Sequence, residues 1–526
     1  MSGTPWLTVI GVLPLVGAAA VAATPRRSPA LAKQIAMGTS LLVLVLTIVM
    51  CADFTPKGPR FQFVQQHDWI SSFGVQYAVG ADGIALVLIA LVAVLVPVVI
   101  LASWYDADPD AESSAGTDGP PVPERKRSVK TFFALLLVLE TMMIGVFAAT
   151  DLFLFYVFFE AMLIPMYFLI GSYGGPKRSY AAVKFLLYSL LGGLLMLAAL
   201  IGLYVQSAKV GQGTFAFEKL TQLDMSHGMQ ILLFLGFFIA FAIKAPLFPF
   251  HTWLPDAGAE APVGGAVLLV GVLDKVGTFG FLRYCLPLFP YAARKLAPYV
   301  IVLCVIGILY GALLAMGQKD LKRLVSYTSV AHFGFIGLGC FAFTTQAQTG
   351  AVLYMVNHGL STGALFLVVG FLVVRGRSRL VGDYSGIGQT APVLSGVFLL
   401  AGLSSLALPG LSTFISEFLV LVGSFQRYPV AAVLATIGII FAALYILLMY
   451  QRTMQGQLSA LHEHMRDLKL REVLAVAPLL ALMVFLGFYP KPLTDVITPA
   501  VNATMHDVGV QDPAPTQLHT ATTGKR

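Results

Sequence analysis

Phe241-Ala-Ile-Lys244-Ala-Pro246-Leu-Phe-Pro249-Phe-His251-Thr-Trp253-Leu-Pro255-Asp256 is the stretch on which the rest of the chain turns. An apolar run reaches a lysine, and Pro246, Pro249 and Pro255 follow closely. Proline removes a helix hydrogen bond and clashes with the preceding turn. A lysine at membrane depth is costly unless a counter-charge, a carbonyl or water meets it. Broken backbone is tolerated there only where it is buried in protein or lines water. Both features in one segment point to a discontinuous helix built around a working charge.

Composition places that segment in a membrane. Of the 526 residues 57% are hydrophobic and only 11% charged, against about 25% charged in soluble domains. The chain reads as a polytopic membrane protein. Its net charge of +7 sits in loops, with no basic stripe interleaved with aromatics, so nucleic acid is not an expected partner. Cys51, Cys285, Cys304 and Cys340 lie in or beside apolar runs without CxxC spacing, so neither a metal nor an iron–sulfur site is expected on this chain. No Walker A sequence occurs, and no GxGxxG follows a strand. The first apolar run, Trp6 to Ala23, lacks a basic stretch before it and reads as a retained helix.

Scanning for runs of about 20 apolar residues predicts an all-α fold with fourteen spans, from 6–23 to 472–490. The seventh (229–249) carries Pro246 and Pro249, and the twelfth (392–426) carries Leu408-Pro409-Gly410; both read as discontinuous. Spans 4–8 and 9–13 form two blocks of five, each with its broken helix fourth. An odd number of crossings inverts the second block, the inverted-repeat arrangement of many transporters. The chain then divides into 1–130 (three spans and a cytoplasmic loop), 131–285 and 298–451 (the two repeats), and 452–526 (the last span and a polar tail). Residues 104–130 read as a solvated loop and 503–526 as a loose tail. The larger share of Lys and Arg falls on the cytoplasmic side if both termini are external.

Few ionisable residues fall inside the spans: Glu140, Glu160, Lys244, Asp274, Lys275, His332, His358 and Glu417. Nothing near Glu160 in sequence neutralises it, and Lys244 is its expected partner. At an effective dielectric near 20, opposite charges ~4 Å apart attract by about 4 kcal/mol. The competing interpretation is a static salt bridge that fixes packing. Asp274 and Lys275 are adjacent, diverge by about 100° on an α-helix, and are not expected to pair. Lys275 reads as a second proton carrier or as a snorkelling side chain. His332 and His358 fit a relay or hydrogen-bonded core positions. Glu417 lies two turns past the break at Pro409 and reads as an exit carboxylate. Glu140 is either an accessory to Glu160 or an interface residue. Asp256 and Glu260 read as loop residues at the cytoplasmic mouth.

Four stretches carry a family resemblance: FFEAMLIPMYFLIG around Glu160, IKAPLFPFHTWLPDA from Lys244 to Asp256, KDLKRLVSYTSVAHFG from Lys319 to Gly334, and NHGLS from Asn357. They resemble the antiporter-like membrane subunits of respiratory complex I, and the glutamate signature most resembles chain M, the mitochondrial subunit 4 type. The resemblance spans nearly all of 80–490. It implies a proton-translocating subunit of NADH-quinone oxidoreductase in a bacterial cell membrane. It implies no cofactor on this chain, with NADH, flavin, iron–sulfur clusters and quinone on partner subunits, and L-type and N-type chains as flanking neighbours. It also implies that Glu160 and Lys244 form a coupling pair, that Lys275, His332 and His358 carry protons onward, and that Glu417 ends the line. Asp274 departs from the pattern, standing where an apolar residue is expected. A cation/proton antiporter subunit shares these residues, and a passive membrane scaffold is the rival of another class.

Overall fold

The computed structural model describes residues 4–25, 27–108 and 128–514. Arg26, the middle of the predicted 104–130 loop with Arg125, Lys126 and Arg127, and the end of the predicted tail lie outside the described residues. Among the described residues thirteen helices are long and apolar enough to cross a membrane, and two shorter apolar helices, Pro392–Ser405 and Ser412–Phe425, follow one another in the chain. Taken as one broken crossing, these two complete fourteen.

In chain order, α1 (Trp6–Ala23) and α2 (Pro29–Asp53) precede a hairpin of β1 (Gln62–Ile70) and β2 (Val75–Ala81). Helices α3 (Gly83–Ala102), α4 (Val129–Ala148), α5 (Leu152–Tyr173) and α6 (Arg178–Val210) follow. The seventh crossing is α7 (His227–Lys244) and α8 (Trp253–Glu260). Next come α9 (Val263–Leu288), α10 (Pro290–Met316), α11 (Leu321–Phe341) and α12 (Thr345–Gly376). The twelfth crossing is α13 (Pro392–Ser405) and α14 (Ser412–Phe425); α15 (Pro429–Met454), α16 (Leu470–Phe488) and α17 (Lys491–Val508) complete the chain.

Burial sorts these helices. The apolar window of α9 is wholly inside the protein and that of α11 94% inside, whereas α1, α2 and α15 bury about a third. Asp274, Lys275 and His332 are therefore carried by the most enclosed helices, whereas Glu160 and Lys244 lie on helices whose apolar windows are about half buried.

Three sequence expectations change. The fold is not purely helical: β1 and β2 pair antiparallel, with Gln62 opposite Ala81 and Ile70 opposite Val75. Alternation of aromatic and β-branched residues with polar ones, as in Phe61-Gln-Phe-Val-Gln, favours a strand over a helix. The predicted tail begins as helix. In α17 the residues Ile497, Ala500, Val501, Thr504, Met505 and Val508 are buried, a spacing of three and four that makes one apolar stripe. A search for 20-residue apolar runs passes over such a helix. At its crossing with α3, a Cβ on Gly83 would fall 1.8 Å from the Val496 carbonyl oxygen, so only glycine allows this approach. Finally, Asp256 and Glu260 are not loop residues. The seventh crossing resumes at Trp253, and both carboxylates sit on α8.

Candidate functional site

The break between α7 and α8 leaves backbone groups that neighbouring side chains satisfy. The Trp253 indole donates to the Ile243 carbonyl at 2.8 Å, and the Tyr188 and Thr252 hydroxyls meet at 2.7 Å. The resumed half-helix is then tied down by charge. Asp256 binds Lys184 of α6 at 2.7 Å and Arg323 of α11 at 2.5 Å. Glu260 accepts from the Lys177 amide at 2.9 Å and pairs with Arg379 at 3.0 Å. The second break is closed by Thr413 of α14, whose hydroxyl bonds the Ser404 carbonyl of α13.

Lys244 is the last residue of α7 and is 1% exposed. The expected partner Glu160 acts on Lys244 through its charge but not by direct contact, and among the described residues the Lys244 ammonium has no hydrogen-bond partner. It stands 4.7 Å from the centre of the Phe159 ring, whose face offers partial compensation to a cation. The reason lies on α6. The Glu160 carboxylate leans over Gly193, where an added Cβ would fall 1.6 Å from Oε1. Glycine there leaves a recess that admits the carboxylate against α6.

Lys275 is also buried but in close contact. Its Nζ lies 3.0 Å from Asp274 Oδ1 and 2.6 Å from His358 Nδ1, and it donates to the Val270 carbonyl. The Asp274–Lys275 contact corrects the expectation that adjacent residues stay apart. Helix α9 is π-helical at Leu269–Leu273 and Phe281–Cys285. The lysine stem runs back along the helix toward residue 270, as helical side chains point to the N-terminus, and this carries the ammonium beside the Asp274 carboxylate. Close packing holds α9 against the break: a Cβ on Gly277 would meet the Phe241 carbonyl at 2.4 Å.

From Lys275 the contacts continue. The His358 and His332 rings stand perpendicular, 5.2 Å apart between centroids, and His332 lies 5.8 Å from the Tyr354 ring. The Tyr354 hydroxyl donates to Glu417 Oε1. Asn357 fixes the start of α14 by donating to the Ser412 carbonyl at 2.7 Å. Lys275, His358, His332 and Glu417 are thus brought into one buried cluster. Glu140 takes no part in these contacts: it is fully buried on α4, and among the described residues neither carboxylate oxygen is hydrogen-bonded. No grouping of three or more metal-ligating side chains occurs among the described residues.

Sequence reasoning missed two parts of this arrangement. One is Tyr354, one turn before His358 on α12 and so on the same face. The other is the buried ion pair of Arg283 with Asp82 at 2.6 Å. Asp82 also caps α3 by accepting from the Ala85 amide. The available signal was two opposite charges, one at the start of the third apolar run and one at the end of the eighth.

Comparison with known proteins completes the description. Residues 149–442 match a family profile described as NADH:quinone oxidoreductase/Mrp antiporter, TM. The chain is 49% identical to NADH-quinone oxidoreductase subunit M of Mycobacterium tuberculosis, over 99% of this chain and 97% of that one. It is 39% identical to subunit M of Rhodobacter capsulatus, over 94% and 95%. It superimposes on a chain of respiratory complex I from Thermus thermophilus with a TM-score of 0.84 and 31% identity, covering 96% of this chain and all of that one. A chain of the Mrp complex from Dietzia sp. DQ12-45-1b shares the fold, with a TM-score of 0.81 and 20% identity over 97% of this chain and all of that one.

Proposed function

The chain belongs to the subunit M family of NADH-quinone oxidoreductase, the antiporter-like and proton-translocating membrane subunits of complex I, and on that premise we propose that its proton moves along Glu160, Lys244, Lys275, His358, His332 and Glu417. It works with other complex I subunits as a multi-pass membrane protein. The observation that carries the proposed route is the Lys275 ammonium, held between Asp274 and His358 in a fully buried site. A cation there exchanges a proton with an imidazole directly, without crossing lipid.

In this reading a change at a neighbouring subunit moves Glu160 relative to Lys244. Lys244, which feels the Glu160 charge without touching it, gains or loses its proton in response, and that shift in charge is felt at Lys275. The proton passes to the histidines and reaches Glu417. Thr349 of α12 and Leu419 of α14, two residues past Glu417 in the chain, line a cavity of about 490 Å³, the outlet in this reading. The broken crossings supply backbone that water can reach. L-type and N-type chains flank the subunit in the bacterial cell membrane, both termini face the external side, and redox groups reside on partner subunits rather than here. Segments 131–285 and 298–451 act as the two inverted repeats, with Glu140 an accessory to Glu160.

The test uses assembled complex I carrying Glu160→Gln or Lys244→Ala. At normal assembly, proton pumping and NADH–quinone turnover should fall by roughly tenfold or more, the effect expected of a lost proton-transfer group. Wild-type pumping in either variant overturns the route.

A further inference from the structure

Helix α12 presents Tyr354 and His358 one turn apart, and both rings lie against His332 of α11. Tyr354 is fully buried. Its hydroxyl donates to Glu417, and this is the one side-chain hydrogen bond that Glu417 makes among the described residues. Among the described residues no side chain bonds either ring nitrogen of His332, whose hydrogen-bonding neighbour is the Ser405 backbone. Among the described residues the phenol of Tyr354 is the group that touches both Glu417 and the His332 ring. An apolar ring would pack as well in that position, and the hydroxyl is the atom that gives the contact a chemical role.

We propose that Tyr354 is a proton-relay residue joining His332 to Glu417. The inference rests on the reading of His332 and Glu417 as stations of the route. The transfer is concerted. The Tyr354 O–H bond breaks as its proton forms an O–H bond on the Glu417 carboxylate. The phenol oxygen takes a replacement from the N–H of protonated His332, with one water closing the gap between the rings. Imidazolium becomes imidazole, carboxylate becomes carboxylic acid, and tyrosine ends neutral as it began. Outward release from Glu417 resets the pair.

The decisive comparison is Tyr354→Phe beside Glu417→Gln, both in assembled complex I in sealed vesicles. Tyr354→Phe keeps the ring and should assemble normally while pumping falls by at least about tenfold. Tyr354→Gln, which restores a donor and an acceptor, should retain most of the pumping. Infrared difference spectra supply a second readout: the carboxyl stretch lost in Glu417→Gln identifies Glu417, and in Tyr354→Phe that band should move to higher frequency as its donor disappears. Wild-type pumping in Tyr354→Phe with impaired Glu417→Gln overturns the relay and leaves the route standing. Wild-type pumping in Glu417→Gln overturns the route itself. Equal loss in the Phe and Gln variants at normal assembly also overturns the relay. If Tyr354→Phe does not assemble, the wild-type complex decides: a Glu417 band at the frequency of a carboxyl without a donor overturns the proposal.

Discussion

Lys244 and Lys275 are the same residue in equally buried places, 1% and 0% exposed, and the protein treats them oppositely. Lys275 is held by a carboxylate, a carbonyl and an imidazole. Lys244 has an aromatic ring, the more distant charge of Glu160 and, among the described residues, no hydrogen bond. Burying an ion costs several kcal/mol even after relaxation; at Lys275 that cost is offset on the spot, and at Lys244 it is left largely open. A charge whose stabilisation is incomplete responds most to a neighbour that moves. On the proposed route this contrast suits Lys244 to sensing and Lys275 to conduction, and Asp274 stands as the counter-charge of Lys275 where the family resemblance led us to expect an apolar residue.

The largest expected effect that tests this contrast is on stability. Lys275→Met strands the fully buried Asp274 carboxylate and should cost about 3–5 kcal/mol, the usual result of breaking a buried pair from one side. The measurement is thermal unfolding and assembly yield of the complex. Asp274→Asn combined with Lys275→Met removes both charges and should recover most of that stability without recovering pumping. Lys244→Met should behave differently. The carboxylate it leaves behind, Glu160, is only partly buried and does not touch it, so stability should fall by no more than about 1 kcal/mol while pumping is lost. A Lys244 variant as unstable as the Lys275 variant would erase the distinction between the two sites.

How much of this was legible in the sequence follows from which forces act along the chain and which act across it. The broken crossings at Pro246 and Pro409 were readable because proline acts on its own helix. So were Lys244, Lys275 and Glu417, since a charge in an apolar run is a local anomaly. The resumption of helix at Trp253 was not, because it depends on Asp256 and Glu260 finding Lys184, Arg323, Arg379 and the Lys177 amide on other elements. Tyr354 looked like any aromatic residue in a core, and only the arrival of α14 beside α12 gives its hydroxyl a partner. The Glu160–Lys244 pair was inferred by elimination, and elimination left out the third contributor, a glycine, whose effect is the space it leaves.

That glycine gives the smallest and most pointed of these predictions. Gly193→Ala adds one methyl group where the Glu160 carboxylate now rests. Alanine is the better helix former by about 1 kcal/mol, so α6 itself gains rather than loses. Any functional loss must then come from displacement of Glu160. Turnover should fall about threefold, equivalent to ~0.65 kcal/mol of barrier, at wild-type assembly. The displaced carboxylate must leave the recess on α6, and the side open to it includes Lys244. If it settles nearer that lysine, the gap that keeps Lys244 responsive closes. Adding Glu160→Gln to Gly193→Ala then separates the causes: the double variant should be no slower than Glu160→Gln alone. A further loss in the double variant would place the damage in helix packing and remove Gly193 from the account of why Lys244 and Lys275 differ.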